Sequence, residues 1–161
     1  MLKYEINAKQ TGTIRVYGTE NNIISFPPKV EFESDNGAYE IKTPKADRID
    51  IGVFPEGDRI ELAVSDGSTI ILENLRIKER IEIDGEGDFT IDISKVYGRI
   101  DVNIINGTAQ LFIEADYNFN TIVKGSGNSI RYDNCKINPQ SINGIELNGR
   151  NCKLVITTKK G

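Results

Sequence analysis

Carboxylates are the side chains in this sequence best suited to catalysis. The 161 residues include no histidine, so the most common general base and metal ligand is missing. Glu82, Asp92 and Asp101 follow one another at about one strand step, and polysaccharide cleavage needs two carboxyl groups about 5–10 Å apart. A carboxylate-dependent polysaccharide-cleaving enzyme is therefore a remote alternative. Charged residues that alternate along a solvated strand produce the same pattern.

Tyrosines offer a second kind of chemistry, the binding of sugars on flat rings. A tyrosine ring has an apolar face and a polar tip. Tyr97 and Tyr117 are separated by about two strand steps, and Tyr132 follows. If the chain repeats at every second strand, Tyr97 and Tyr117 stack on one face. These three tyrosines are the predicted ligand platform, with glycan as a possible ligand and packing in the core as the alternative.

Other catalytic and cofactor motifs are missing. Cys135 and Cys152 are too far apart for a CxxC motif. The two glycine motifs that bind nucleotide phosphates, GxxxxGK(S/T) and GxGxxG, are also missing. We therefore predict no catalytic residue, no metal site and no cofactor. The two cysteines are expected to be reduced and buried, with a disulfide between layers as the alternative.

Charge and hydropathy limit the partners. The net charge is −4 and the pI is about 5.0, which argues against nucleic acid as a partner. No apolar run approaches the roughly 20 residues of a membrane span, so no membrane insertion is expected. The first residues lack a signal-peptide pattern. The expected location is cytoplasmic, and extracellular only if the chain is a processed fragment.

The elements that would position these residues are short strands, each rich in Ile, Val, Phe or Tyr and bounded by Gly, Asn or Asp. From Ile60 onward the strand centres recur about every ten positions, with one longer gap before Glu146. The predicted centres are Leu62, Ile71, Glu82, Ile91, Val102, Phe112, Ile122, Arg131, Glu146 and Val155.

Regular spacing of this kind predicts stacked coils. Taking every second strand gives a repeat of about 20 residues, which pairs Ile71 with Ile91, Glu82 with Val102, and Val102 with Ile122. The fold class predicted is all-β, as a short single-domain β-solenoid. An antiparallel β-sandwich or jelly roll built from hairpins is the alternative.

The first part of the chain, 1–56, differs from the rest because it holds four of the five prolines. Proline cannot donate to a strand ladder, so 1–56 is predicted to be a less regular β layer that starts or caps the core. The remainder, 57–161, is predicted to hold the regular repeated strands. No Gly/Ser linker separates the two parts, and the whole chain, 1–161, is expected to be a single domain.

The segment from Gly57 to about Asp133 resembles the families of unknown function labelled putative adhesin, including the head-GIN type. The resemblance lies in Gly-Asp or Gly-Asn followed by an alternating strand, as at Gly87, where the sequence continues Asp-Phe-Thr-Ile-Asp-Ile, and at Gly127, where it continues Asn-Ser-Ile-Arg-Tyr. It implies a short β-solenoid with no established catalytic site. The chain departs from the group in lacking its Ser-Gly-Asp repeats.

Charge is distributed unevenly along the chain. Positions 57–119 are predominantly acidic, whereas positions 120–161 have a clear excess of Lys and Arg. In a solenoid this gives an acidic body and a basic C-terminal end, which favours attraction between copies. We therefore predict a non-enzymatic structural or interaction scaffold that binds protein or itself, with Lys153, Lys159 and Lys160 as candidate contacts. A carbohydrate-binding module is the alternative.

Overall fold

The structure is a computed structural model that describes residues 1–160, and in that range it contains eleven strands and no helix. The strands are β1 (Lys3–Asn7), β2 (Thr11–Gly18), β3 (Glu31–Asp35), β4 (Ala38–Lys42), β5 (Ala46–Val53), β6 (Glu56–Ala63), β7 (Thr69–Glu86), β8 (Phe89–Ile113), β9 (Asn120–Val123), β10 (Ser129–Asp133) and β11 (Gly144–Thr158). The prediction of an all-β protein is confirmed, and each predicted strand centre lies within a strand.

All eleven strands belong to one sheet. The strand pairs are parallel except β3 with β4, which form an antiparallel pair. The long strands β7, β8 and β11 bend, so that each pairs along two or more successive segments. Residues 69–77 of β7 pair with residues 90–98 of β8, and residues 81–86 pair with residues 100–105. Each of the two β7 segments is thus paired with the second segment after it along the chain.

One run of strand segments positions most of the residues discussed below, and we call it the front ladder. Its order is β3, β4, β1, β6, residues 81–86 of β7, residues 100–105 of β8, residues 144–150 of β11, and β9. β3 and β9 are its two edge strands. Because side chains alternate across a strand, every second residue of each segment points outward.

Inward-facing side chains of the front ladder stack in columns of like residues. Ile60, Ile81, Ile100 and Ile145 are aligned on successive strands and at most 1% exposed. β-Branched side chains pack well in this arrangement because their neighbours on the adjacent strands have the same shape. The alternation of Ile with charged residues in the sequence therefore separates a continuous core from a charged surface.

Asn-Gly pairs make two different kinds of bend. Asn36-Gly37 joins β3 to β4 in a two-residue hairpin, with φ values of 50° and 85°, as expected for a tight turn. Asn106-Gly107 instead bends the chain inside β8, and a Cβ on Gly107 would lie 1.7 Å from the Gly87 carbonyl oxygen. The pairs that predict tight turns thus also form corners between parallel segments.

The predicted pairing is wrong in register. Ile91 is opposite Ile70, not Ile71, and Glu82 is opposite Asp101, not Val102. Corners of different length shift these pairs by one residue, and a one-residue shift moves a side chain to the opposite face. The pairing of Val102 with Ile122 is also wrong, because residues 144–150 lie between β8 and β9.

Residues 1–56 supply one end of the sheet. β1 pairs with β4 and β6, and β2 pairs with β5 and β7, all in parallel. Pro27 and Pro28 lie between β2 and β3, outside the strands. Ser25 in the same segment exchanges two backbone hydrogen bonds with Gly52, so this segment covers part of the β5 edge.

Candidate interaction surface

A row of seven carboxylates crosses the outer surface of the front ladder, and we call it the acidic row. Adjacent members are directly opposite each other on neighbouring strands. In order they are Glu33, Glu40, Glu5, Glu61, Glu82, Asp101 and Glu146. Like charges placed directly opposite each other destabilise a sheet, so this row requires compensation.

Cations two residues earlier on the same strands compensate most of the row. Lys3 Nζ lies 2.7 Å from Glu5, and Arg59 lies 3.8 Å from Glu61. Lys3 also reaches across to Glu61 at 3.6 Å. Each cation therefore contacts a carboxylate on its own strand, and some contact the next strand as well.

The row is most deeply buried at Asp101 and Glu146, whose side chains are each 4% exposed. Arg99 donates to Asp101 at 2.6 Å and also hydrogen-bonds Glu146, while Lys124 Nζ lies 2.7 Å from Glu146. Burial raises the pKa of Asp101, and the hydrogen bond and charge of Arg99 oppose this shift. Burial also acts to raise the pKa of Glu146, but hydrogen bonds from Lys124 and Asn148 and the charge of Arg99 hold that pKa below its ordinary value.

The opposite end of the acidic row is open. Glu33 and Glu40 are exposed, and among the described residues no cation lies within 4 Å of either carboxylate. Both line a surface groove of about 910 Å³, together with Glu5 and Glu61. Lys9 and Lys42 line the same groove, but neither forms an ion pair with Glu33 or Glu40.

Of the three carboxylates considered for the remote enzyme alternative, only Glu82 and Asp101 lie side by side. Glu82 and Asp101 are neighbours in the acidic row, where Arg80 Nε lies 3.8 Å from Glu82 and 3.9 Å from Asp101. Asp92 is opposite Ile71 in the other set of segments and forms an ion pair with Lys159. Asp92 lies apart from the other two because β8 turns a corner between Asp92 and Asp101. Within residues 1–160, no group of three or more acidic or cysteine side chains could hold a metal ion.

The three candidate tyrosines lie in different settings. Tyr97 is 37% exposed, and the Arg76 guanidinium lies 4.6 Å from its ring centroid. Tyr117 packs against the core and stacks on Phe119 at 5.8 Å. Its hydroxyl is buried without a hydrogen-bond partner among the described residues, and burial raises its pKa. Tyr132 hydrogen-bonds Thr121 at 2.5 Å.

The three candidate lysines also differ. Lys159 Nζ lies 2.5 Å from Asp92 Oδ1 and donates to the Ile93 carbonyl oxygen at 2.7 Å, which ties it to its own chain. Lys153 is half-buried and is opposite Thr108 and Ser129. Lys160 is exposed. Lys124, which the sequence did not single out, lies at the end of the front ladder.

Both cysteines are free thiols. Cys152 is buried, with its Sγ 3.0 Å from the Asn128 amide oxygen, and Cys135 Sγ donates to the Ile156 carbonyl oxygen at 3.3 Å. Burial raises the pKa of both thiols, which lowers the fraction of reactive thiolate.

A repeated tripeptide in the sequence marks the charge rows. A cation, an apolar residue and an acid recur at Lys3-Tyr4-Glu5, Arg59-Ile60-Glu61, Arg80-Ile81-Glu82 and Arg99-Ile100-Asp101. Each copy places the apolar residue in the core and the two charges outside. This repeat could have identified Glu5 and Glu61. Glu146 lacks it, because Gly144 stands where the cation would be.

Comparisons with known proteins give a likeness in fold. No protein-family model and no curated protein sequence matches the chain. No helix in residues 1–160 is long and apolar enough to cross a membrane. The structure is similar to the crystal structure of a putative cell adhesion protein from Clostridium sporogenes, with a TM-score of 0.59 and 14% sequence identity over 98% of this chain and 92% of that one. This likeness supports the resemblance to the putative-adhesin families, and at this identity it extends to the fold alone.

Proposed function

We propose that this chain is a non-enzymatic interaction scaffold built as a single-domain β-solenoid. Parallel pairing of β6 and of both β7 segments with the second segment after them, and columns of like residues in the core, support the solenoid. Residues 1–56 then form two layers, β1 with β2 and β4 with β5, and cover one end. The fold likeness to a putative cell adhesion protein agrees with a role in binding other macromolecules. The net charge of −4 makes protein a better partner than nucleic acid.

One observation carries this proposal: the regular charged surface ends in two edge strands of different charge, each with one unpaired edge among the described residues. β3 has the sequence Glu-Phe-Glu-Ser-Asp and is exposed throughout. At the other end, Lys124 follows β9, Arg131 lies in β10, and Lys153 is opposite Ser129 of β10. A scaffold of this kind binds copies of itself or another protein through complementary charge. Lys153 and Lys160 are candidate contacts, with Lys159 held back by Asp92.

Sedimentation velocity tests self-association. The full chain is run over a hundredfold range of concentration in roughly 50 mM and 500 mM salt, since salt screens charges separated by more than a Debye length. We expect oligomers that grow with concentration and weaken as the salt rises. A monomer in every condition contradicts self-association and leaves a different protein or a glycan as the partner.

The groove beside Tyr97 favours a glycan as the second candidate. The groove measures about 720 Å³ and is lined by Tyr97, Arg76, Glu79 and Ile142, which combine apolar surface with hydrogen-bonding groups as sugar sites do. Binding of soluble oligosaccharides is measured by calorimetry for the full chain and for Tyr97→Ala, with Tyr132→Ala as the control. Loss of binding in Tyr97→Ala at unchanged thermal stability supports this candidate, and equal binding by all three proteins contradicts it.

A further inference from the structure

The two edge strands of the front ladder both leave backbone groups and apolar side chains uncovered. Among the described residues, β3 is paired with β4 only and β9 with β11 only. Phe32 of β3 is 53% exposed, and Ile122 and Val123 of β9 are 54% and 46% exposed. Unpaired strand edges of this kind are templates for pairing with another chain. Both edges here combine free backbone groups with apolar side chains.

The register of the front ladder is continuous from one edge to the other. Val123 is in the same column as Leu147, Val102, Ile83, Leu62, Ile6, Ile41 and Phe32. This column faces the core, and its two end members are the exposed Phe32 and Val123. Ile122 ends the acidic row, whose other end is Glu33. One position further along the strands, the column on the other side of Phe32 and Val123 ends in Glu31 on β3. On the β9 side this position is occupied by Lys124, whose backbone N–H donates to the Leu147 carbonyl oxygen.

We propose that copies of this chain associate head to tail, with β9 of one copy pairing antiparallel with β3 of the next in the register of the front ladder. This inference rests on the proposed scaffold function and names the partner as a second copy. β3 runs opposite to the other strands, so the new pair is antiparallel. Val123 then covers Phe32, and Lys124 is opposite Glu31. Asn120 is opposite Asp35, and Thr121 is opposite Ser34.

Charge and burial both favour this junction. Glu31, Glu33 and Asp35 put three acids on the five residues of β3, whereas β9 has none and is followed by Lys124, which is 62% exposed. The junction covers the apolar ends of the core column and places Lys124, which also contacts Glu146 of its own chain, opposite Glu31. The β5 edge takes no part, because Ser25 already bonds to it.

Ile122 is the position that tests the register, because it is opposite Glu33. Ile122→Glu places like charges directly opposite each other and is expected to weaken association about fivefold, whereas Ile122→Lys is expected to tighten it about fivefold. Combining Ile122→Glu with Glu33→Lys in one chain restores an opposite-charge pair and is expected to recover association. An equimolar mixture of the Ile122→Glu chain and the Glu33→Lys chain can form a junction in which the glutamate introduced at position 122 of one chain is opposite the lysine introduced at position 33 of the other. This mixture is expected to associate more strongly than Ile122→Glu alone. Ile142→Glu, a substitution at a 93% exposed residue outside β9, is the matched control.

Dissociation constants come from sedimentation velocity at low salt, with thermal melts to confirm that each variant is folded. If Ile122→Glu fails to fold, the expected tightening by Ile122→Lys still tests the register. Association of the wild type that neither Ile122 variant changes overturns this junction and leaves the scaffold proposal standing. A wild type that stays monomeric in every condition overturns self-association as a whole, junction included.

Discussion

The two ends of the acidic row have the same chemistry and opposite surroundings. Asp101 and Glu146 are nearly fully buried and held by Arg99 and Lys124. Glu33 and Glu40 are exposed, and among the described residues no cation lies within 4 Å of them. A stack of carboxylates is therefore part of the structural framework where cations alternate with it. It becomes a free negative surface in the β3–β4 hairpin, where Glu31 and Ala38 stand two residues before Glu33 and Glu40 in place of cations.

Arg99→Ala is the change expected to have the largest effect at the buried end. Removing one partner of a buried ion pair costs about 3–5 kcal/mol, whereas surface pairs are worth about 0–1 kcal/mol. Arg99 is 48% exposed but serves two buried carboxylates. Its expected effect lies between these two cases, a loss of about 2 kcal/mol in the free energy of unfolding. Urea denaturation measures this loss.

Arg131→Ala provides the matched control. Arg131 contacts Asp133 at 3.1 Å, and both side chains are largely exposed. Its removal is expected to change the free energy of unfolding much less than Arg99→Ala does. Equal losses in the two variants would mean that burial of Asp101 and Glu146 has no energetic consequence.

The two buried carboxylates should respond to acid in opposite directions. The pKa of Glu146 is below its ordinary value of 4.5, so its stabilising contribution is present above pH 4.5 and is lost as the pH falls through the folded-state pKa. The pKa of Asp101 is above its ordinary value of 3.8. Its contribution is therefore present below pH 3.8 and is lost as the pH rises through the folded-state pKa.

Urea denaturation between about pH 3 and pH 7 separates these effects, which are expected to be smaller than the loss in Arg99→Ala. The stability advantage of the wild type over Glu146→Gln is expected to shrink as the pH falls. The advantage over Asp101→Asn is expected to grow over the same range. Parallel pH curves for the wild type and both variants would contradict the two pKa directions.

Much of the fold could be predicted from local sequence pattern. Alternation of Ile with charged residues identifies the strands because period-two patterning separates a core from a surface. The register could not be predicted to one residue, because the corners differ in length: Ile81 is opposite both Ile60 and Ile100, yet the stretch of chain before it is longer than the stretch after it. The insertion of residues 144–150 between β8 and β9 depends on pairing distant in sequence, which no local pattern reveals.

The candidate surface was less predictable than the fold. Spacing suggested that Glu82, Asp92 and Asp101 share a face, but β8 turns a corner between Asp92 and Asp101. Glu146 joins Asp101 from β11, a strand much later in the chain. The repeated cation–apolar–acid tripeptide is a local signal of the charge rows. The burial of Asp101, however, depends on the strand that covers it.

The smallest predicted effect has opposite signs at two positions of the acidic row. Glu40→Gln removes a charge that is directly opposite Glu5 and Glu33, so relief of repulsion is expected to raise the free energy of unfolding by about 0.5 kcal/mol. Glu82→Gln removes the carboxylate 3.8 Å from Arg80 and is expected to lower it by about 0.5 kcal/mol. Urea denaturation at low and high salt measures both changes. Salt should reduce both, because both depend on charge. A loss of stability in Glu40→Gln would mean that the open end of the row is already compensated in solution, and the contrast between the two ends would then disappear.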